Sequence, residues 1–510
     1  MLNVLLAVGL LFAASPAQPS AEPPVADESR PPSADDAQAR AIEALQTLDG
    51  RRLETDRAYA GAMIGHLQAI RVLPDAEAQI ELDNLRMAAF VTLERTEEAR
   101  AAIDRVLSSR PAVADQYYLP WLSSLRMGDQ ARAVETIVQA SRNLRASEWP
   151  ALREMLPEIV IGRFMHELSR DGRGADRIRL AEALYRVGWP SYHDVRSIDS
   201  LRSILIDDRV ERGETAEASQ LISALSSVGE LLPILVLTKY DEALPSGDRI
   251  ALLREVIARQ DRQSSESLGA FPNDLRRTLD RIEFLRLVGR NLEAIAAAEP
   301  FLTEVQATVA ADPQGMWLIN ETVQALQALD RHDEAVALMS RLAALPVAGN
   351  SELIGPVINH SSVLLEAGRA AEALEHVLGV ERDLSQYAND YGRSVIAGTI
   401  VCALVELDRR PEVDPWLERL RAQVDVNPDA LMRVHLCLND LDAAEALVVR
   451  RLGGENPDRV VLALQDYELQ SEAERSDSLS VRYRSLRERP AVQAALARVG
   501  RILRLPLAGY

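Results

Sequence analysis

At 510 residues the chain is longer than a single hydrophobic core can organise, so it must form several domains or an elongated repeat array. It is 47% hydrophobic but only 4% aromatic, and it is dominated by alanine, leucine and arginine, which favour α-helix; runs typical of strands are missing. The formal net charge of −20 repels phosphates and anionic membranes, so we expect no nucleic-acid partner. The expected class is all-α.

The first 17 residues have the pattern of a secretory signal peptide. The apolar run from Leu2 to Ala14 is 13 residues long, too short to cross about 30 Å of hydrocarbon as a helix. Ser15 and Ala17 occupy the small-residue positions before a cleavage site, although no basic residue precedes the apolar run. No cysteine lies near the cleavage site. We therefore expect a soluble exported protein of the bacterial periplasm that begins at Gln18 and carries no lipid anchor.

Residues 18–40 are predicted to form a flexible tether. They are rich in proline, alanine, serine, aspartate and glutamate, a composition that cannot bury a core. We expect a helical repeat array over residues 41–470 and basic capping helices over residues 471–510.

One phrase recurs through the array. An apolar helix is followed by glycine or aspartate beside a polar residue, then by two or three residues, and then by Glu-Ala and a second apolar run, as in residues 364–377. Glycine, asparagine and aspartate tolerate the backbone geometry that ends a helix, so the phrase predicts two helices joined by a tight turn. The aligned turn residues are Glu94, Gly128, Gly172, Gly213, Gly247, Gly289, Asp330, Gly368, Asp408 and Asn439.

This phrase resembles the tetratricopeptide repeat, in which a small alanine stands five residues after the turn, where the two helices of the hairpin cross. Seven of the ten corresponding residues here are alanine, the exceptions being Arg177, Leu252 and Val413. The spacing between turns varies from 31 to 44 residues, and the large side chains that the family has in the first helix are poorly kept. Over roughly residues 80–460, the resemblance implies a right-handed α-solenoid of about ten helical hairpins.

The longest interruption of the pattern covers residues 259–267, before Phe271 and Pro272. Two interpretations stay open: a plain loop between helices, and a hinge between two sub-arrays over residues 259–273. We prefer the loop, because the repeat phrase resumes in register after it.

The resemblance also implies a binding groove. In tetratricopeptide arrays the first helix of each hairpin lines a concave face, and the residues that correspond here include Trp317, Asn320, Gln324 and Asn359. Amide side chains both donate to and accept from a peptide backbone, and tryptophan is a common apolar anchor. The alternative is that these are ordinary solvated helix residues and that Trp317 packs against its neighbour.

Cys402 and Cys437 are predicted to remain unpaired. In the aligned register they are out of phase by one helical turn on neighbouring helices, which adds about 6 Å along the axis to the 8–10 Å between helix axes. That separation exceeds what a disulfide tolerates, although the exported compartment would permit one.

The C-terminal segment from residue 481 to residue 504 contains seven arginines and one acidic residue. Val492, Leu496, Val499 and Leu503 form an apolar stripe along it. A basic amphipathic helix can lie on anionic lipid, so this segment is the one expected route to membrane contact. It can equally be the polar-faced end cap that a repeat array requires, and we prefer that interpretation.

No motif for catalysis or cofactor binding is present. The single lysine, Lys239, lies in no phosphate-binding loop, and neither G-x-S-x-G nor H-E-x-x-H occurs. The seven histidines are dispersed, with no two on one face of a helix at a spacing of four, so we expect no metal and no cofactor.

The leading functional hypothesis is therefore a non-enzymatic periplasmic scaffold that binds a protein or peptide on the concave face of the solenoid. The alternative is an exported all-helical glycan lyase or hydrolase with a toroidal frame, or a glycan-binding protein. Such proteins stack sugars on aromatic side chains, and this chain has only 5 tryptophans, 11 tyrosines and 6 phenylalanines.

Overall fold

The computed structural model describes residues 38, 41, 48–70, 76–109, 113–189, 195–348, 350–470 and 478–509. Within these residues there are 27 α-helices and one pair of two-residue strands, and helix makes up 77% of the structure. The all-α prediction is confirmed. The expected signal peptide, and the tether apart from residue 38, lie outside the described residues.

The chain divides into two compact units, Met1–Asp208 and Arg209–Tyr510, with the boundary inside a helix. The helices up to this boundary are α1 (Gly50–Thr55), α2 (Arg57–Ala69), α3 (Ala76–Thr92), α4 (Thr96–Ser108), α5 (Asp115–Arg126), α6 (Gln130–Asn143), α7 (Trp149–Met155), α8 (Glu158–Arg170), α9 (Gly174–Arg186) and α10 (Val195–Glu211).

The helices of the second unit begin after α10. They are α11 (Thr215–Ser223), α12 (Val228–Val236), α13 (Arg249–Ala270), α14 (Leu275–Leu287), α15 (Asn291–Leu302), α16 (Val305–Ala311), α17 (Gln314–Gln327), α18 (His332–Ala343), α19 (Ile354–Glu366), α20 (Ala370–Asp383), α21 (Asp390–Glu406), α22 (Asp414–Ala422), α23 (Pro428–Leu438), α24 (Leu441–Leu452), α25 (Asp458–Ala463), α26 (Ser478–Arg487) and α27 (Pro490–Val499). Strands β1 (Asp466–Tyr467) and β2 (Arg504–Leu505) pair in parallel. Short 3₁₀ turns cover Ala146–Glu148, Thr238–Tyr240, Ser351–Leu353, Ser385–Tyr387 and Arg410–Glu412.

Every predicted turn residue has a positive φ. Among the described residues eleven have one, the ten predicted positions and Gly188. The turn at Glu94 shows the geometry: the amide of Arg95 donates to the carbonyl oxygen of Phe90 at 2.8 Å, and that of Glu94 donates to Val91 at 3.0 Å, which is the Schellman pattern of a helix end. The seven alanines five residues after the turns are fully buried (0% exposed). Nine of the ten turn positions are therefore confirmed, and the tenth is not: Gly247, with a φ of 141°, lies in a bend between the 3₁₀ turn Thr238–Tyr240 and α13.

A second repeated feature, which the sequence analysis missed, follows six of these turns. An arginine directly after the turn residue pairs with an acidic residue three positions later, which lies in the first turn of the second helix or, for Glu412, in the 3₁₀ turn just before it. An acidic side chain there also interacts favourably with the helix dipole. The pairs are Arg95–Glu98, Arg173–Asp176, Arg290–Glu293, Arg331–Glu334, Arg369–Glu372 and Arg409–Glu412.

The predicted interruption at residues 259–267 is neither a loop nor a hinge, because α13 runs through it without a break. Its polar side chains are used by neighbouring elements. The amide of Val228 donates to the buried Gln260 at 2.8 Å, and the Arg281 guanidinium contacts Asp261 at 2.5 Å and Ser264 at 2.9 Å. The polarity that suggested a loop instead reflects contacts with α12 and α14.

The prediction that the cysteines stay unpaired is wrong. Cys402 of α21 and Cys437 of α23 form a disulfide with their Cα atoms 5.4 Å apart. The error lay in aligning the two helices by their turns. The two helices pack closely near the bond, since a Cβ added at Gly398 would be in van der Waals contact with the Ala430 oxygen and the Val434 Cγ2 atom, both at 3.7 Å. The helices are displaced along their axes by about one turn, and this displacement brings the sulfurs together.

Within the second unit the last elements of the chain return to the first. Helix α25 packs against α12, and Leu237 forms an antiparallel bridge with Gly500. The amide of Arg501 donates to the Val236 carbonyl at 2.9 Å, and that of Ala508 donates to Leu287, also at 2.9 Å. Contacts between neighbouring helices therefore form a closed series within the second unit, which begins and ends at α12.

The C-terminal arginines take part in this packing. Arg482 donates to the carbonyl oxygens of Leu436 and Cys437 at the end of α23, at 2.5 and 3.0 Å. Arg489 pairs with Asp442 and Glu445 of α24, and Arg501 pairs with Asp241. These contacts favour the end-cap interpretation of the basic segment.

Candidate binding surface

The residues predicted for the groove lie on the first helices of two consecutive hairpins. Trp317, Asn320 and Gln324 follow one another along α17, and Asn359 lies on α19. The structure places three of the four in polar contacts between first helices, which also involve α14, α21 and α23. We call these four separate groups of contacts the inner row; its members are Arg286, Asn320, Glu321, Gln324, Gln327, Asn359, Ser362, Glu366, Thr399 and Arg433.

The two asparagines of the inner row bond to each other. The Asn359 Nδ2 atom donates to Asn320 Oδ1 at 3.0 Å, and Asn320 is buried, with 7% of its surface exposed. The expectation that these residues are solvated is therefore wrong for Asn320. Its amide joins α17 to α19, and Asn359 keeps one amide hydrogen and its carbonyl oxygen for other partners.

The neighbouring contacts in the inner row involve charge. Arg286 of α14 pairs with Glu321 and donates to Gln324 Oε1 at 2.7 Å. Hydrogen bonds from a guanidinium are stronger than those between neutral groups, so α14 is held firmly to α17. Gln324 retains both hydrogens of its amide, because it uses only its oxygen here.

Glu366 joins hairpins that are not adjacent in sequence. It accepts from Gln327 of α17 at 2.7 Å and from Arg433 of α23 at 3.0 Å, although α21 lies between α19 and α23. The long side chains of Glu366 and Arg433 therefore meet across the face of α21. The first unit contains the same kind of contact, between Glu54 of α1 and Arg126 of α5 at 3.1 Å.

Trp317 is the one predicted residue that is strongly exposed. It lies at the N-terminal end of α17 with 43% of its surface accessible, whereas its neighbours Met316 and Leu318 are buried. It is therefore not a core residue. A large exposed aromatic side chain on the same helix as two amides of the inner row, within one turn of Asn320 and about two turns from Gln324, offers apolar contact area in addition to hydrogen-bonding groups.

A second polar cluster was missed by the sequence analysis. The His360 Nδ1 and His376 Nε2 atoms are 3.3 Å apart; Ser340 Oγ lies 2.9 Å from His360 Nε2, and Ser361 Oγ lies 2.8 Å from His376 Nδ1. We call Ser361, His376, His360 and Ser340 the serine–histidine chain. The sequence could have indicated that the two histidines meet, because His360 lies as far before the turn residue Gly368 as His376 lies after it.

Two arrangements of hydrogen atoms satisfy all three contacts of the serine–histidine chain with both imidazoles neutral. In the first, each ring carries its hydrogen on Nε2, so that Ser340 accepts from His360 and donates to the Val336 carbonyl at 2.7 Å, while His376 accepts from Ser361 and donates to His360. In the second, each ring carries its hydrogen on Nδ1 and the three bonds between the four side chains are reversed.

Burial argues against one of the two serines as a nucleophile: Ser361 contacts His376, but it is fully buried and out of reach of a substrate. Ser340 also contacts the Val336 carbonyl of its own helix at 2.7 Å. Among the described residues, no group of three or more histidine, cysteine, aspartate or glutamate side chains is placed to hold a metal ion.

No model of a protein family matches the chain, and no curated protein matches it at a significant level. Over the described helices, none is both long enough and apolar enough to cross a membrane.

Proposed function

We propose that the chain is an exported, non-enzymatic scaffold that binds an extended segment of a protein or peptide along the inner row. The observation that carries the proposal is that Trp317 is exposed on α17, the helix that also carries Asn320 and Gln324, while Asn359 lies on the next first helix, α19. This side of the first helices is the proposed concave face, and the right-handed solenoid of about ten tetratricopeptide-like hairpins is part of the same proposal.

The chemistry of the inner row supports a polypeptide ligand. Gln324 and Asn359 keep free donors, and Asn359 also keeps a free acceptor, which suits the alternating N–H and C=O groups of an extended backbone. Charged members of the row are paired with each other, as Arg286 is with Glu321, so recognition relies on hydrogen bonds and on apolar contact with Trp317.

The disulfide supports export. Disulfides persist in oxidising compartments such as the bacterial periplasm and are rare in the cytosol, and Cys402 and Cys437 are both buried and bonded to each other.

Site-specific photo-crosslinking tests the proposal. A photoreactive phenylalanine analogue replaces Trp317, and in a matched control it replaces Leu292, which is 67% exposed on the second helix α15. After irradiation of cells that export the protein, we expect a polypeptide adduct from position 317 and none from position 292.

The partner found in this way is then titrated against Trp317→Ala and Leu292→Ala proteins. We expect at least a tenfold loss of affinity, about 1.4 kcal/mol, for the first variant only. Equal adducts from both positions, or unchanged affinity of Trp317→Ala, would count against the inner row as the binding surface. Binding of an oligosaccharide in place of a polypeptide would favour the glycan alternative.

A further inference from the structure

The serine–histidine chain lies where three helices of the second unit meet. Ser340 belongs to α18, His360 and Ser361 to α19, and His376 to α20. The two rings pack edge to face, with their centroids 4.6 Å apart. Four side chains thus connect one hairpin to the second helix of the hairpin before it.

We propose that the serine–histidine chain is an acid-sensitive latch that holds α18, α19 and α20 together while at least one of the two histidines is neutral and releases them when both rings are protonated. A single added proton can be accommodated, because the Ser361 or Ser340 hydroxyl can turn its hydrogen away and accept from the adjacent ring. A second proton leaves no acceptor at the central contact, where two N–H groups of two cationic rings then face each other across 3.3 Å.

The surroundings of the two rings favour the neutral form. Burial, together with the neighbouring His376 and Arg369 and against the opposite effect of Glu372, lowers the pKa of His360 to about 4. Arg369 and Glu372 are paired with each other at the start of α20, and Asp333 of α18 acts on Arg369. Burial also lowers the pKa of His376.

The sign of the pH dependence follows from these directions. A histidine whose pKa is lower in the folded chain than in the unfolded chain binds fewer protons when folded. The latch therefore stabilises the fold above pH 6.5, the ordinary histidine value, and its contribution is lost as the pH falls toward about 4.

Opening the latch would affect the inner row, because α19 carries both. Asn359 bonds to Asn320 on one side of α19, and the next residue, His360, bonds to His376 and Ser340 on the other side. A shift of α19 on protonation would move Asn359 and Ser362 relative to their partners on α17 and α21. The latch itself does not depend on the proposed function.

Urea unfolding of the full-length mature protein, from about pH 7.5 to about pH 4.5, tests the latch. The variant is His360→Gln/His376→Gln, and the control is His332→Gln, which removes an exposed histidine of α18. The slope of stability against pH gives the difference in bound protons between the unfolded and folded states. We expect that difference to be smaller in the double variant by about two protons and unchanged in the control. An unchanged slope in the double variant would overturn the proposal.

Nitrogen-15 NMR of histidine-labelled wild-type protein provides a test that does not require the variant to fold. Single His→Gln changes assign the seven ring signals. We expect both rings to carry their hydrogen on the same nitrogen, Nε2 or Nδ1, and to titrate below the ordinary histidine value, His360 at a pH of about 4. Hydrogens on different nitrogens of the two rings, or titration of both rings near the ordinary value, would show that the chain is not a latch.

Discussion

Gly500 lies directly against the carbonyl oxygen of Val236. A Cβ atom added at Gly500 would be 2.8 Å from that oxygen and 3.0 Å from Val461 Cγ1. Gly500 has an extended backbone, so the constraint is space and not backbone strain. The contact joins the last elements of the second unit to its first, beside the antiparallel bridge between Leu237 and Gly500.

Replacing this glycine should weaken the closure of the second unit. We expect Gly500→Ala to lower the free energy of unfolding by about 1–3 kcal/mol, because the methyl group displaces a backbone carbonyl that is held in place. The matched control is Gly509→Ala, whose methyl group meets open space. Urea unfolding monitored by circular dichroism measures both variants. Equal stability of the two variants would contradict a tight contact at Gly500.

The disulfide between Cys402 and Cys437 should add substantially to stability, because it closes a loop across a sequence separation of 35 residues. Restricting the unfolded chain in this way is worth roughly 3–4 kcal/mol. We expect the Cys402→Ala/Cys437→Ala variant and the reduced wild type to lose similar amounts in urea unfolding. A thiol assay on the denatured, exported protein checks the bond itself, and two free thiols per chain would show that the bond is absent.

Within the candidate surface, Asn320 and Trp317 should respond differently to truncation. Asn320→Ala removes the buried acceptor of the Asn359 amide and should cost about 1–3 kcal/mol of stability. Trp317→Ala should cost far less than the roughly 3–5 kcal/mol of a core tryptophan, because Trp317 is largely exposed. Thermal unfolding of the two single variants measures the contrast. A large loss of stability for Trp317→Ala would mean that the Trp317 side chain packs against the protein and is not available to a ligand.

The turn residues allow a paired prediction. Asp408 and Gly368 have φ values of 56° and 72°, a region in which glycine is favoured over other residues by roughly 1–2 kcal/mol. We expect Asp408→Gly to raise stability and Gly368→Ala to lower it, each by about 1 kcal/mol. Chemical denaturation in one buffer compares the two. A change of the same sign in both variants would contradict a shared turn geometry.

The local elements of this protein were predictable from its sequence. The ends of helices are determined by residues within one or two turns, so Gly289, Asp330 and Asn439 could be identified as turns from their neighbours alone. The alanines five residues later are buried for an equally local reason, because the two helices of a hairpin cross there. The helical character of the chain follows from its composition.

The contacts between hairpins were decided only by the tertiary structure. The axial displacement of α21 against α23 pairs Cys402 with Cys437, and the burial of Asn320 depends on how α17 meets α19. The meeting of Gly500 with Val236 depends on the sum of small rotations along the whole second unit. Side-chain packing along entire helices sets these displacements and rotations, whereas the repeat phrase specifies only the turns and the crossing points within each hairpin.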